Sequence, residues 1–444
     1  MTSRRTFLIV GTGALAASAT GCGGGISDAS GVTTQTQSTG SAPLPSSPAP
    51  VVIRAAPSPA PSPAPSPAPS PAPAPSPAPS PAPAPAAAGT FRQLGSQSLS
   101  AHLTSVRAAL PEGLAAANTR MMPVSGFMAF CGATIRRDKY ALPIMGGHND
   151  SYDDGHYAQD LRTGAWETVL QPSTVGAAYV NVNAYGEWIA NRPASQHSYF
   201  HNVTVGDDII QGTGYAVGWT GSAGSRQAHR WNGAAGAWER YGTLSGSARS
   251  VPQFVSYDAV RKRIVRIPLI GNNNIVESIP SNDPTASWST IGIANQAIAD
   301  IYSSIGYHPG LDCFVLISPR DYTPTNRVFV MDAGNLAAGW AEVTATGVGL
   351  PYPMISGGLE YVPPMRALVS ADQADGSTLY FLMPTGARTA PWVWTKQTFG
   401  GGTTPSPWDP VGIQGRVKWS SLLNGLVMIK SGDALTEVFT PSLS

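Results

Sequence analysis

The chain has 444 residues, of which only 12% are charged, and its 27 basic and 26 acidic side chains leave a net charge of +1. That balance excludes the basic surface that a nucleic-acid backbone requires. The 41 prolines cluster early and the 48 glycines run through the rest, so an address, a spacer and a domain are expected in turn.

Residues 1–22 read as a targeting segment rather than as fold. Ser3-Arg4-Arg5-Thr6-Phe7-Leu8 resembles the twin-arginine export signal, and an apolar run from Leu8 to Ala19 follows it. The run is shorter than the roughly 20 apolar residues a membrane-spanning helix needs. Ala19-Thr20-Gly21-Cys22 resembles a lipoprotein processing site, in which the Cys22 thiol takes the lipid. The expected address is the cell envelope, either lipid-anchored to a membrane through Cys22 or, after ordinary cleavage, periplasmic.

Residues 23–89 form a linker. Its first part is rich in Gly, Ser and Thr and predicts flexible coil. From Pro43 to Pro85 the chain repeats Pro-Ser-Pro-Ala and Pro-Ala-Pro-Ala. Alternating proline fixes φ and removes backbone donors, which excludes helix and sheet. Polyproline II rises about 3.1 Å per residue, so this part spans on the order of 100 Å as a spacer.

Residues 90–444 predict an all-β domain. Short β-rich runs alternate with Gly, Asn, Asp and Pro turns. Two pieces recur. An aromatic residue, a polar turn and an apolar strand appear at Tyr257, Tyr307, Tyr361 and Trp419. Asp or Asn, a tight turn and Trp appear as Asp160/Trp166, Asn232/Trp238, Asn282/Trp288 and Asp332/Trp340, with Trp392 or Trp394 closing a fifth unit. After a longer first interval these tryptophans recur about every 50 residues, the period of kelch blades. The first unit, with Ile144-Met145-Gly146-Gly147 and then Tyr157, Asp160, Thr163 and Trp166, resembles a kelch repeat.

Six units are expected, starting near Gly126, Ser198, Pro252, Ile301, Met354 and Gly415. The last ends at Thr436–Thr440 without a Trp strand, and Thr90–Leu94 resembles the missing outer strand. The expected fold is therefore a six-bladed kelch-like β-propeller of four-stranded blades, closed by an N-terminal strand so that no sheet edge stays open. Seven blades stay open, because Gln171–Ser195 is long enough to hold further strands. A β-sandwich leaves the tryptophan spacing unexplained.

In a propeller the first strand of each blade starts on the face where the second ends, so both sets of residues converge on one mouth. Three of the seven histidines fall there. The expected catalytic candidates are His148, His201, Tyr199, Tyr302 and Arg320, the last as a charge partner for a carboxylate; the expected ligand contacts are Asn149, His197, Gln253, Asn273 and Arg416. For the Asn272–Asn274 run, turn and ligand roles weigh equally, since Asn tolerates the left-handed region. A mouth of amides and aromatics suits a carbohydrate or envelope glycan.

Phe130-Cys131, Tyr199 and Tyr302 also stand where the galactose oxidase family, kelch propellers with a copper site, carries its cysteine and tyrosines. Ser303 replaces that family's next histidine, and no histidine follows His308, so the resemblance supplies no copper set and the cofactor stays open. Elimination by a His/Tyr pair, with an Arg on a uronate carboxylate, is a further reading from fold analogy. A protein-interaction scaffold is the alternative to carbohydrate binding. Asp150, Asp153 and Asp154 are expected in a solvated turn rather than a Ca²⁺ loop. Cys131 and Cys313, placed in the first and fourth blades, are expected as two buried thiols.

Overall fold

The computed structural model describes residues 89–110, 131–143, 153–173, 185, 187–194, 196–198, 202–212, 215–216, 227–243, 253–268, 275–295, 303–318, 327–348, 358–371, 376–399 and 415–442. They form a six-bladed β-propeller of four-stranded antiparallel blades.

Blade 1 runs outward through Thr134–Arg136, Lys139–Leu142, His156–Asp160 and Trp166–Leu170. Blade 2 is Asn202–Val205, Asp208–Gln211, Ala228–Asn232 and Ala237–Tyr241. Blade 3 is Gln253–Asp258, Arg263–Pro268, Ile275–Pro280 and Ser289–Gly292. Blade 4 is Ser304–His308, Cys313–Ser318, Arg327–Asp332 and Trp340–Val343. Blade 5 is Glu360–Val362, Ala367–Ala371, Thr378–Pro384 and Trp392–Thr398, with Ala345–Gly347 added in parallel outside. Blade 6 is Lys418–Ser420, Gly425–Met428 and Thr436–Thr440, completed by Thr90–Leu94. The innermost strands touch in cyclic order, and blade 6 returns to blade 1.

The closure follows the expectation residue for residue. Thr90 lies opposite Thr440 and Leu94 opposite Thr436, so both ends of the domain share one sheet. Phe91 packs with Val369, Phe381 and Phe399 of blade 5. It takes the place that a tryptophan fills elsewhere. Trp166 packs with Leu423 and Val427 of blade 6, Trp238 with Ala141 and Ala158 of blade 1, and Trp340 with Phe254 and Val265 of blade 3. Trp392 and Trp394 pack with Cys313 and Val315 of blade 4. Each outer strand thus seals its blade to the preceding one, where truncating a buried Trp costs about 3–5 kcal/mol.

Two turn chemistries repeat. Before three of the outer strands an Asp or Asn caps its own turn: Asp160 accepts from the Arg162 and Thr163 N–H groups, Asn232 from those of Ala234 and Ala235, and Asp332 from that of Gly334. In blade 3 Asp283, not the expected Asn282, accepts from Thr285. Every hairpin between first and second strands holds one left-handed residue: Arg137, Gly206, Lys262, Asp312, Arg366 and Asn424. Only one is glycine, so no sequence signal marked this ring of turns.

Four expectations are corrected. Strands begin later than expected, at Asn202 rather than Ser198 and at Glu360 rather than Met354. The Gln171–Ser195 stretch supplies no seventh blade; its described part is a short hairpin, Glu187–Ile189 against Arg192–Pro193. A helix, α1 (Leu99–Ala108), follows the closing strand, capped by Ser98 and buried through Leu99 and Leu103. Its two buried leucines are too few to announce a helical period. Finally, Asp153 and Asp154 are buried, not solvated. Cys131 and Cys313 are buried thiols, as expected, and burial pushes the Cys313 thiol up to about 12.

Candidate functional site

The strand directions give the ring two unlike faces. One, the turn face, carries the tight hairpins just described. The other, the loop face, carries the connections between blades and those between second and third strands. Most of the expected site lies outside the described residues: His148, Asn149, Tyr199, His201, Asn272 to Asn274, Tyr302 and Arg320. The Ile144–Gly147 segment, Asp150 and Cys22 also lie outside them.

Three expected residues are placed. Gln253 opens the inner strand of blade 3 opposite Pro268, the last residue of the second strand, which puts it at the loop face. His197 pairs with Tyr215 in a short ladder that precedes the first strand of blade 2 and follows its second. Arg416 stands just before the inner strand of blade 6 and is fully buried. Its guanidinium donates to the Lys430 carbonyl at 3.4 Å, while its own carbonyl accepts from Tyr140 Oη at 2.6 Å.

The inner strands of all six blades line a central channel of about 430 Å³. Its walls are mostly small and apolar, but one end is not. Glu360 of blade 5 and Lys418 of blade 6 lie opposite Val369 and Val427, each only the third pair from its tight hairpin, so both sit in the turn-face half of the channel. Lys418 Nζ donates to Glu360 Oε2 at 3.2 Å, and the Trp419 backbone N–H donates to Glu360 Oε1 at 3.1 Å. Trp419, Tyr307 and Tyr361 also line the channel and are half-buried. The Tyr307 hydroxyl is already committed to Asp312 at 2.8 Å. A paired carboxylate and ammonium beside an indole, at the mouth of a concave site, suit a ligand with polar edges and an apolar face.

Sequence reasoning missed Glu360 and Lys418. A signal was present: Glu360-Tyr361 and Lys418-Trp419 occupy the same place in consecutive blades, with opposite charges before the recurring aromatic.

Below the loops lies a layer of buried ion pairs. Arg266 and Glu277 are both fully buried, with Nη2 and Oε2 2.6 Å apart. Lys430 and Glu437 meet at 2.6 Å, each about 1% exposed. Glu187 accepts from Arg240 through both oxygens and contacts His229 Nε2 at 3.0 Å. Burial lowers the His229 pKa, and Glu187 opposes that shift. Arg192 bonds Asp154 Oδ1 at 2.8 Å and the Gln171 carbonyl at 2.7 Å. Asp153 accepts from Tyr157 Oη and the Gly155 N–H, and burial still pushes its carboxyl up to about 6. These pairs hold the base of the loop face. Among the described residues, no three His, Cys, Asp or Glu side chains form a group fit for a metal ion.

No protein-family model matches the chain, and no characterised protein matches it significantly.

Proposed function

We propose that this propeller is a binding module of the cell envelope whose central channel, at its turn-face mouth, takes a carbohydrate. The fold fits a binding or scaffold role. The observation that carries the finer reading is the Glu360–Lys418 pair beside Trp419 at the end of the central channel. A pyranose presents hydroxyls to paired charges and a C–H face to an indole. A docking surface for a protein partner predicts an exposed apolar patch. Among the described residues only Ile189 and Val260 are large hydrophobic side chains left exposed. That favours the carbohydrate over the scaffold. The twin-arginine signal, the lipid on Cys22 and the proline-rich spacer belong to the same reading: a kelch-type ring held clear of a membrane.

The test is a glycan array probed with the mature protein, followed by titration calorimetry on each hit. Trp419→Ala weakens binding about tenfold or more, the scale of a lost aromatic anchor. Lys418→Ala weakens it as well. A glycan bound equally well by both variants removes the channel mouth as the site. Incubation with acidic polysaccharides tests cleavage by elimination: new ultraviolet absorbance from an unsaturated uronate, lost in His148→Ala or His201→Ala, makes the module a lyase.

A further inference from the structure

The turn face closes its seams with cross-blade polar contacts. Arg136 of blade 1 donates to the Asp207 carbonyl of blade 2 at 2.6 Å, and Arg137 pairs with the Asp207 carboxylate. Arg261 of blade 3 pairs with Asp312 of blade 4 at 2.6 Å. Between blades 4 and 5 an ion pair, Arg388 with Asp332, closes the outer part of the seam. The inner part is open, and a cavity of about 670 Å³ occupies it.

The cavity has a fixed back wall. The Leu311 N–H donates to His308 Nδ1 at 3.1 Å, so Nε2 carries the proton and donates to the Arg366 carbonyl at 3.0 Å. The His308 ring sits edge-on to Tyr361 and Trp392. With both nitrogens used, His308 is a wall and not a ligand. Leu311, Tyr361, Met365, Met383 and Pro384 present half-buried apolar surface to the cavity. Two unbranched methionines make such a surface adaptable. At the rim stands Arg366, exposed, in the left-handed hairpin position at φ 49°.

Arg366 differs from the other arginines of this face, of which Arg136 is taken up by the Asp207 and Gly233 carbonyls. Arg137, Arg261, Arg263 and Arg388 each meet an acid. Arg366 meets none among the described residues, and the nearby Asp312 is committed to Arg261 and Tyr307. Arg366 and Tyr361 line the same cavity, and the Arg366 charge opposes the burial that raises the Tyr361 phenol.

We propose that this seam cavity is a second ligand site, sharing Tyr361 with the channel but not Lys418 or Trp419, that takes a small monocarboxylate with an apolar body. The carboxylate engages Arg366 as a charge-assisted pair, and the body lies on Tyr361, Met365 and Met383. The volume falls in the range of small-molecule sites, about 300–1,000 Å³. Fatty and aromatic acids share this chemistry.

Titration calorimetry of the full chain uses octanoate and 3-phenylpropionate, with 3-phenylpropanol as the uncharged control. Binding by at least one acid with a Kd below about 1 mM, and by the alcohol about tenfold or more weakly, supports the site. Octanoate alone marks an aliphatic ligand, and phenylpropionate alone an aromatic one. Arg366→Gly keeps the left-handed turn while removing the charge, and it should abolish binding with the melting temperature held or raised. Gly310→Leu narrows the cavity: its Cβ would meet nothing closer than His308 at 3.4 Å, and its φ is not positive. It should weaken binding, while Lys418→Ala at the channel mouth should leave it unchanged. No heat with either acid overturns the proposal. So does binding that survives Arg366→Gly, is unchanged by Gly310→Leu, or is removed by Lys418→Ala.

Discussion

The two faces of the ring use charge in opposite ways. On the loop face the charged side chains are buried and hold backbone: Lys430 Nζ donates to the Gly376 carbonyl, and Arg192 to the carbonyls of Asp154 and Gln171. The neutral Gln227 amide does likewise, donating to the carbonyls of Ala228, Tyr241 and Gly242. Connections that leave the blades cannot satisfy their own polar groups, so side chains from the strands reach up to do it. On the turn face most charges bridge blades in partial contact with water, although Asp258 is buried and Arg136 and Arg263 also donate to carbonyls of the next blade. A buried pair is expensive to form and more expensive to break singly, whereas a wet pair is worth little either way. The loop face is therefore the energetically brittle one.

The largest expected effect breaks a buried pair on one side only. Glu277→Ala leaves Arg266 buried opposite an alanine and should cost about 3–5 kcal/mol in urea unfolding. Replacing both, Arg266→Met with Glu277→Leu, should recover most of that loss, because the desolvation penalty disappears with the charges. A single variant that unfolds within about 1 kcal/mol of the parent would mean that water reaches this pair, and the contrast between faces fails.

Titration sharpens the contrast next. His156, at the loop end of blade 1, is fully buried against Trp231 at 4.7 Å, and burial, then Arg136, holds it down to about 3. A base depressed in the folded state contributes stability that is complete above its unfolded pKa and is lost as pH falls towards the folded one. Between pH 7 and 5 the parent should therefore lose about 2 kcal/mol relative to His156→Gln. Asp153 acts with the opposite sign. Its carboxyl is raised to about 6, so its contribution is complete below about pH 4 and is lost as pH rises through 6. Asp153→Asn should gain on the parent over that interval. On the turn face Asp160 goes the other way: burial acts to raise it, but Lys139 and the N–H groups of Thr163 and Arg162 prevail and hold it at about 2. Its contribution is lost only as pH falls below about 4. Urea midpoints at pH 3, 5 and 7 separate the two faces. Identical profiles for the parent and both loop-face variants would show these groups to be solvated.

A smaller effect belongs to the wet pairs. Arg388→Ala removes the contact with Asp332 and should cost less than about 1 kcal/mol, shrinking further in 1 M salt. A loss as large as that of Glu277→Ala, insensitive to salt, would put the turn face in the same class as the loop face.

How much of this was legible in the sequence also divides by face. Blade number, the tryptophan seams and the shared sixth blade were readable, because Asx turns and bulky aromatics recur at one period. Phe91 in the place of a tryptophan was the visible end of that pattern. The buried ion pairs were not readable: Arg266, Glu277, Lys430 and Glu437 sit in or beside strands, where charge ordinarily signals exposure. Their burial comes from tertiary packing, which no local pattern encodes. Of the candidate site, topology places Gln253 at the expected face, and Arg416 lies there beneath the surface. The charged pair at the channel mouth was overlooked because Glu360 and Lys418 look ordinary until two blades are aligned. Arg366 hid for a different reason, since nothing in its neighbours marks a left-handed turn.

That ring of left-handed residues gives the smallest effect. Lys262 holds φ 50° in the blade 3 hairpin, exposed, with its carbonyl accepting from the Ser281 N–H and hydroxyl. An L-residue in this region carries about 1–2 kcal/mol of strain, which glycine relieves. Glycine also loosens the unfolded chain, at a cost of about 0.4–1 kcal/mol. Lys262→Gly should therefore be neutral or stabilising by up to about 1 kcal/mol, read as a shift in the urea midpoint at constant slope. Lys262→Val should be clearly destabilising, because a β-branched side chain is a genuine outlier there. If glycine destabilises and valine does not, the hairpin is extended rather than left-handed. The shared geometry of the six turns, and with it the compactness of the turn face, would then be wrong at this blade.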